Sequence, residues 1–233
     1  MNKREAKEYT HKYIKDQFKT AGFVERKMSN TDVHYVRKTI AGKDGMYLHF
    51  KDYNPLQVTA YYFYKKIDVV NEILKEIYRC MPLRLPITKD THSLTFDYVS
   101  LKQYRVNGSY NDTYLQRMQT EEDVKAACAR IIEFLEEDAL PTLDKFNDLR
   151  EIDKIINGDN FWFDDWQREF GLGGNFHLKR IIIPYLTKNK DFESIVERQL
   201  ADTRSRFDDQ YGEYSREAEK EILFLVDYLK ARL

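Results

Sequence analysis

The period of the apolar residues changes once along the chain, and that change limits the folds open to it. Between residues 33 and 64 aromatic and β-branched residues crowd at every second position, whereas from Thr120 onward they recur every third or fourth. A period of two marks strands and a period near 3.6 marks helices, so a sheet should come early and helices late. Strands are expected over 33–40, 46–53 and 56–64, with Gly42-Lys43-Asp44-Gly45 and Asn54-Pro55 as turns. Residues 23–28 add a fourth strand, and 94–106 one or two more. In the first helix, over 3–20, Ala6, Tyr9, Tyr13, Ile14 and Phe18 share a stripe that Gly22 ends. A second helix spans 68–80, and Pro82 closes it. Thr120 is placed as the N-cap of the next, with Asp123 three residues later and a stripe of Val124, Cys128, Ile131 and Leu135. Further helices are expected over 140–157, 175–187, 191–207 and 215–233, with Pro184 bending or restarting one of them. The fold class is therefore α+β: residues 1–116 form a helix and antiparallel sheet, and residues 117–233 form a helical part packed with it, as two subdomains or one compact body.

A hydrophobic fraction of 42% with only 5 Pro and 9 Gly excludes a disordered chain. Cys80 and Cys128 are the only thiols, too few for a disulfide framework or a zinc site. The first residues lack the apolar core of a secretory signal, and no run has the length of a membrane span, so a cytoplasmic protein with no membrane contact is expected.

Charge is sorted along the chain. Residues 1–116 hold 20 Lys/Arg against 13 Asp/Glu, residues 117–170 hold 7 against 15, and residues 171–233 hold 11 against 11. A formal net charge of −1 thus hides blocks of +7 and −8. Acids in a first helical turn complement the helix dipole, which accounts for Glu121, Glu122 and Asp123. Glu136-Glu137-Asp138, read as a helix end, opposes it, and a cationic partner would explain the cluster. That partner is either the chain's own basic half or another protein. The external reading makes Glu133, Glu136, Glu137, Asp138, Asp144 and Asp148 a docking surface for a partner with a basic face, with Trp162 and Trp166 as aromatic anchors.

Signs of catalytic chemistry are sparse. Asp164, Asp165, Glu169 and His177 form the densest acid/base or hard-metal set, without a known metal or catalytic spacing. Gly171-Leu-Gly-Gly174 precedes a helix that Asn175 can cap, but it lacks the surroundings of a dinucleotide or phosphate loop. His11, His34, His49 and His92 share no ligand spacing, and a lone histidine needs an orienting partner to work. No metal and no cofactor are expected. The first helix carries Lys3, Arg4, Lys7, Lys12, Lys15 and Lys19, but Glu5, Glu8 and Asp16 dilute them, which disfavours nucleic acid as a partner.

The order of a helix, Phe18-x-x-Ala-Gly-Phe23, an aromatic strand meander, a helix, and then Ala139-Leu-Pro-Thr-Leu-Asp-Lys-Phe146 resembles uncharacterised bacterial domain-of-unknown-function proteins. Some of these look like immunity proteins of polymorphic toxin systems. The resemblance covers mainly residues 6–157 and transfers no catalytic residue. It implies a cytoplasmic, non-enzymatic protein that binds another protein. An enzyme built on Asp164, Asp165, Glu169 and His177, and a nucleic-acid-associated factor using the basic helix, are the competing expectations.

Overall fold

A computed structural model describes residues 1–26, 32–51, 56–81, 94–97, 116–158, 175–208 and 212–232. The fold is α+β, with an N-terminal helix, an antiparallel sheet and a mostly helical C-terminal half. The chain divides into two compact units that interleave in sequence. The first comprises residues 1–66, 94–147 and 167–171, and the second comprises 67–93, 148–166 and 172–233.

In the first unit, helix α1 (Lys3–Thr20) starts in a capping box. The Asn2 side chain accepts from the Glu5 backbone N–H, and the Glu5 carboxylate accepts from that of Asn2. Ala6, Thr10, Ile14 and Phe18 are buried at four-residue spacing, while Tyr9 and Tyr13, expected on that stripe, are only half-buried. The helix ends at Ala21, and Gly22 takes the left-handed backbone (φ 84°) that turns the chain into the sheet. Strands β1 (Val24–Arg26), β2 (Asp32–Thr39), β3 (Gly42–Lys51), β4 (Leu56–Ile67) and β5 (Leu94–Asp97) lie in that order, and β6 (Gln116–Met118) pairs with β4. β1 with β2, β2 with β3, β4 with β5 and β4 with β6 all pair antiparallel.

The β2–β3 turn is shorter than expected. Thr39 pairs with Gly42, so Ile40-Ala41 makes the turn and Gly42 to Gly45 belong to β3. Asp44 therefore lies opposite Arg37 inside the sheet, where its charge is matched. Paired residues share a face, so Val33 with Leu48 and Tyr35 with Met46 line one side and His34 with Tyr47 the other. Both sides are buried here, and the polar/apolar alternation of a half-wet sheet is lost. Phe18 packs its ring 4.8 Å from Tyr35, and Phe63 lies 5.7 Å from Phe134. On the other side His34 stacks on Tyr47 at 4.0 Å and hydrogen-bonds the Tyr64 hydroxyl at 2.9 Å.

Helix α3 (Glu121–Phe134) opens as expected: the Thr120 hydroxyl accepts from the Asp123 N–H, and the Asp123 carboxylate accepts from the Thr120 N–H. Its stripe of Val124, Ala127, Cys128, Ile131 and Phe134 is buried, and α3 packs on α1. Glu136-Glu137-Asp138 is not a helix end. The chain continues through a π-turn over Leu135–Ala139 into α4 (Leu140–Lys145). Pro141 supplies the reason. It has no N–H for the Glu137 carbonyl and its ring crowds that group; widening to the i→i+5 bond from Leu140 N–H to Leu135 O relieves the strain. The single helix expected over 140–157 is two, because Asp148 starts a new one.

The second unit holds α2 (Asp68–Cys80), α5 (Leu149–Asn157), α6 (Phe176–Thr187), α7 (Phe192–Ser205) and α8 (Gly212–Lys230). The other four all pack on α6, whose residues His177 to Pro184 are buried on every side. Pro184 does not restart this helix. It denies an N–H to the Arg180 carbonyl, and Asn157 Nδ2 donates to that oxygen instead at 3.2 Å. Asn175 takes a left-handed conformation at the head of α6 (φ 60°), and its side chain makes no capping hydrogen bond, contrary to expectation.

Candidate functional site

Part of the acidic block is answered within the fold. Lys12 of α1 reaches Glu121 at 2.8 Å, and the Tyr13 hydroxyl donates to the same oxygen. These hydrogen bonds hold the Glu121 carboxyl below its usual range and the Lys12 ammonium above its own. Asp144 lies 2.6 Å from Arg37. In both pairs a residue of the basic half meets a residue of the acidic block. Asp123 is held low by the backbone N–H groups it caps.

Of the six carboxylates expected to form one docking surface, three stand apart from it. Asp138 is buried beside Leu135 and Ala139 in the π-turn, and a partner cannot reach it. Asp144 is exposed, but it is bound to Arg37. Asp148 belongs to the second unit, where it accepts from the Arg150 N–H and pairs with the Arg150 guanidinium at 2.7 Å. Glu133, Glu136 and Glu137 remain exposed. They occupy the side opposite the buried Ile131, Phe134 and Leu135, at the three- and four-residue spacing that shares a helix face. Glu133 and Glu136 have no ion pair among the described residues. Trp162 and Trp166 lie outside the described residues.

Of the acid/base set, only His177 lies among the described residues. Asp164, Asp165 and Glu169 fall outside, and His177 is inside the second unit, its Nε2 2.7 Å from Glu221 of α8 with both side chains buried. Among the described residues no three His, Cys, Asp or Glu side chains gather as metal ligands. Cys80 is exposed and Cys128 buried, each with a free thiol, and burial pushes the Cys128 thiol up to about 12. No described helix is long and apolar enough to cross a membrane.

Two constellations carried no sequence signal. In the first unit, Lys65 Nζ lies 2.6 Å from Asp44 and 2.9 Å from Asn147, and Arg37 binds the other Asp44 oxygen at 2.7 Å. Burial outweighs the pull of Asp44 and sets the Lys65 ammonium below its ordinary range. The second constellation is His11 of α1 between Glu25 and Tyr35, an orienting pair that sequence spacing does not reveal. Comparisons with protein-family models, curated proteins and solved structures find no match.

Proposed function

We propose that the protein is a protein-binding module of the immunity type, which takes a partner with a basic face onto Glu133, Glu136 and Glu137. One observation supports this: Glu133, Glu136 and Glu137 are exposed together on one side of the helical run from α3 into the π-turn, and Glu133 and Glu136 have no ion pair among the described residues. Exposed like charges repel one another, whereas together they steer a cationic partner and speed its encounter. Trp162 and Trp166 serve in this reading as the apolar anchors that slow departure.

The test is the association rate of wild type and Glu133→Lys/Glu136→Lys/Glu137→Lys with a basic partner co-purified at low salt. The triple reversal should slow association about tenfold or more, and added salt should slow the wild type in the same way. A lowered melting temperature with an unchanged rate would instead show that the stripe serves the fold, and would end the proposal.

A further inference from the structure

The group around Lys65 holds more than an ion pair. Lys65 Nζ, wholly buried in β4, lies 2.6 Å from Asp44 Oδ1 and 2.9 Å from the side-chain carbonyl oxygen of Asn147. An amine, a carboxylate and a carboxamide thus meet at one nitrogen, and all belong to the first unit.

Each is held in place by its neighbours. Arg37 donates to Asp44 Oδ2 through Nε at 3.0 Å and through a terminal nitrogen at 2.7 Å, which leaves Oδ1 to face Lys65. The same guanidinium reaches Asp144 at 2.6 Å, and the Asn147 N–H donates to the Asp144 carbonyl at 3.1 Å, so Arg37 ties the turn that carries Asn147 to Asp44. Phe63, two residues before Lys65 and on the same sheet face, packs on Phe134, and Phe146 beside Asn147 is buried, so the surroundings are apolar. Burial is also what sets the Lys65 ammonium below its ordinary range, which favours the neutral, nucleophilic amine. Asn147 itself is only half-buried, and its Nδ2 makes no hydrogen bond among the described residues, so a small molecule released from its Cγ is close to solvent.

We propose that Lys65 and Asn147 become joined through an amide bond between their side chains, a cross-link that the fold makes on itself with Asp44 as the proton carrier. The ammonium first passes a proton to Asp44 Oδ1, and the lone pair so freed attacks Asn147 Cγ. The Nζ–Cγ bond forms, the Cγ–Nδ2 bond breaks, a second Nζ proton goes to Nδ2, and the ammonia departs with the proton that Asp44 held, as ammonium. Asp44 is a carboxylate again at the end, and no oxidant or outside reactant takes part. The reacting carbon is one bond beyond the oxygen that Nζ already touches, within reach of the separation of about 3–3.5 Å from which held groups react. Asn147 rather than Asp44 is the acceptor because Arg37 donates two hydrogen bonds to the Asp44 carboxylate, and an anion is a poor target for an electron pair. The ion pair of Lys65 with Asp44 is the state the fold reaches first, and the bond follows it.

Protein refolded from urea and sampled over days by intact mass spectrometry provides the test. Its mass should drop below the sequence value by one ammonia, and tryptic digestion should give a branched peptide in which Lys65 is joined to Asn147. Asn147→Ala and Lys65→Met should keep their full mass, with circular dichroism reporting their fold, and Asp44→Asn should slow the loss about a hundredfold or more. The wild-type digest decides the matter whether or not a variant folds. Full mass throughout, loss of a water with Lys65 joined to Asp44, or an ammonia loss without the branched peptide, as when the backbone nitrogen of Asp148 closes a ring on Asn147 Cγ, would each overturn the assignment.

Discussion

Lys65 Nζ lies 2.6 Å from Asp44 Oδ1 with both side chains wholly buried, so neither charge has water to fall back on. Removing one partner strands the other. Asp44→Ala should therefore cost about 3–5 kcal/mol of unfolding free energy, read from urea denaturation. Replacing both charges, Asp44→Leu with Lys65→Met, should recover most of that loss, because the desolvation penalty goes with them. A double variant no more stable than Asp44→Ala would contradict this account.

The cap of α3 should respond to acid. Hydrogen bonds from the backbone N–H groups of Gln119 and Thr120 hold the Asp123 carboxyl below its usual value. A depressed carboxylate contributes stability that is present above its unfolded-state value, near pH 4, and is lost as pH falls through the folded one. Melting temperature measured from pH 5 to pH 2.5 should fall less in Asp123→Asn than in wild type. At neutral pH Thr120→Ala should cost about 1 kcal/mol.

Gly45 has no room for a side chain, since a Cβ there would come within 2.2 Å of the Tyr64 ring carbons Cε1 and Cζ. Gly45→Ala must push that ring off and break its hydrogen bond to His34. A loss of about 1–3 kcal/mol is expected from the overpacking, and circular dichroism during thermal unfolding would show it. Trimming the ring as well, in Gly45→Ala/Tyr64→Leu, should be less damaging than the two single losses summed.

Asn157 and Pro184 form a compensated pair. Asn157→Ala leaves the buried Arg180 carbonyl without its donor and should cost about 1–3 kcal/mol. In that background Pro184→Ala restores a backbone N–H at the position from which α-helices serve this carbonyl, so it should regain part of the loss. A double-mutant cycle by chemical denaturation measures the coupling, and a zero coupling energy would refute it.

Much of the architecture was legible because its signals are local. Thr120 and Asp123 announce a helix within four residues, and Gly22 ends one. Asp138 was readable too, seven residues after Ile131 on the buried stripe, although its place in an acidic run concealed it. Asp44 was not readable: Gly-Lys-Asp-Gly has turn composition, and only the ammonium of Lys65, far along the chain, makes a strand interior tolerable for it. The orienting of His11 is equally non-local, since Glu25 and Tyr35 reach it from two strands. For the acidic block, composition set the total charge, but contacts with Lys12 and Arg37 decided which carboxylates stayed outside.

The interleaving of the two units governs how the molecule can be taken apart. Neither is a continuous stretch, so no single cut releases one whole. Ending the chain at residue 116 would strip α3 from the sheet face on which Phe134 meets Phe63, and beginning it at 117 would deprive α6 of α2. During synthesis, residues 67–93 emerge well before the helices that complete their unit, α6 among them. Until α6 is made, the apolar stripe of α2, Val70, Ile73, Leu74 and Ile77, must wait without the helix that packs on it.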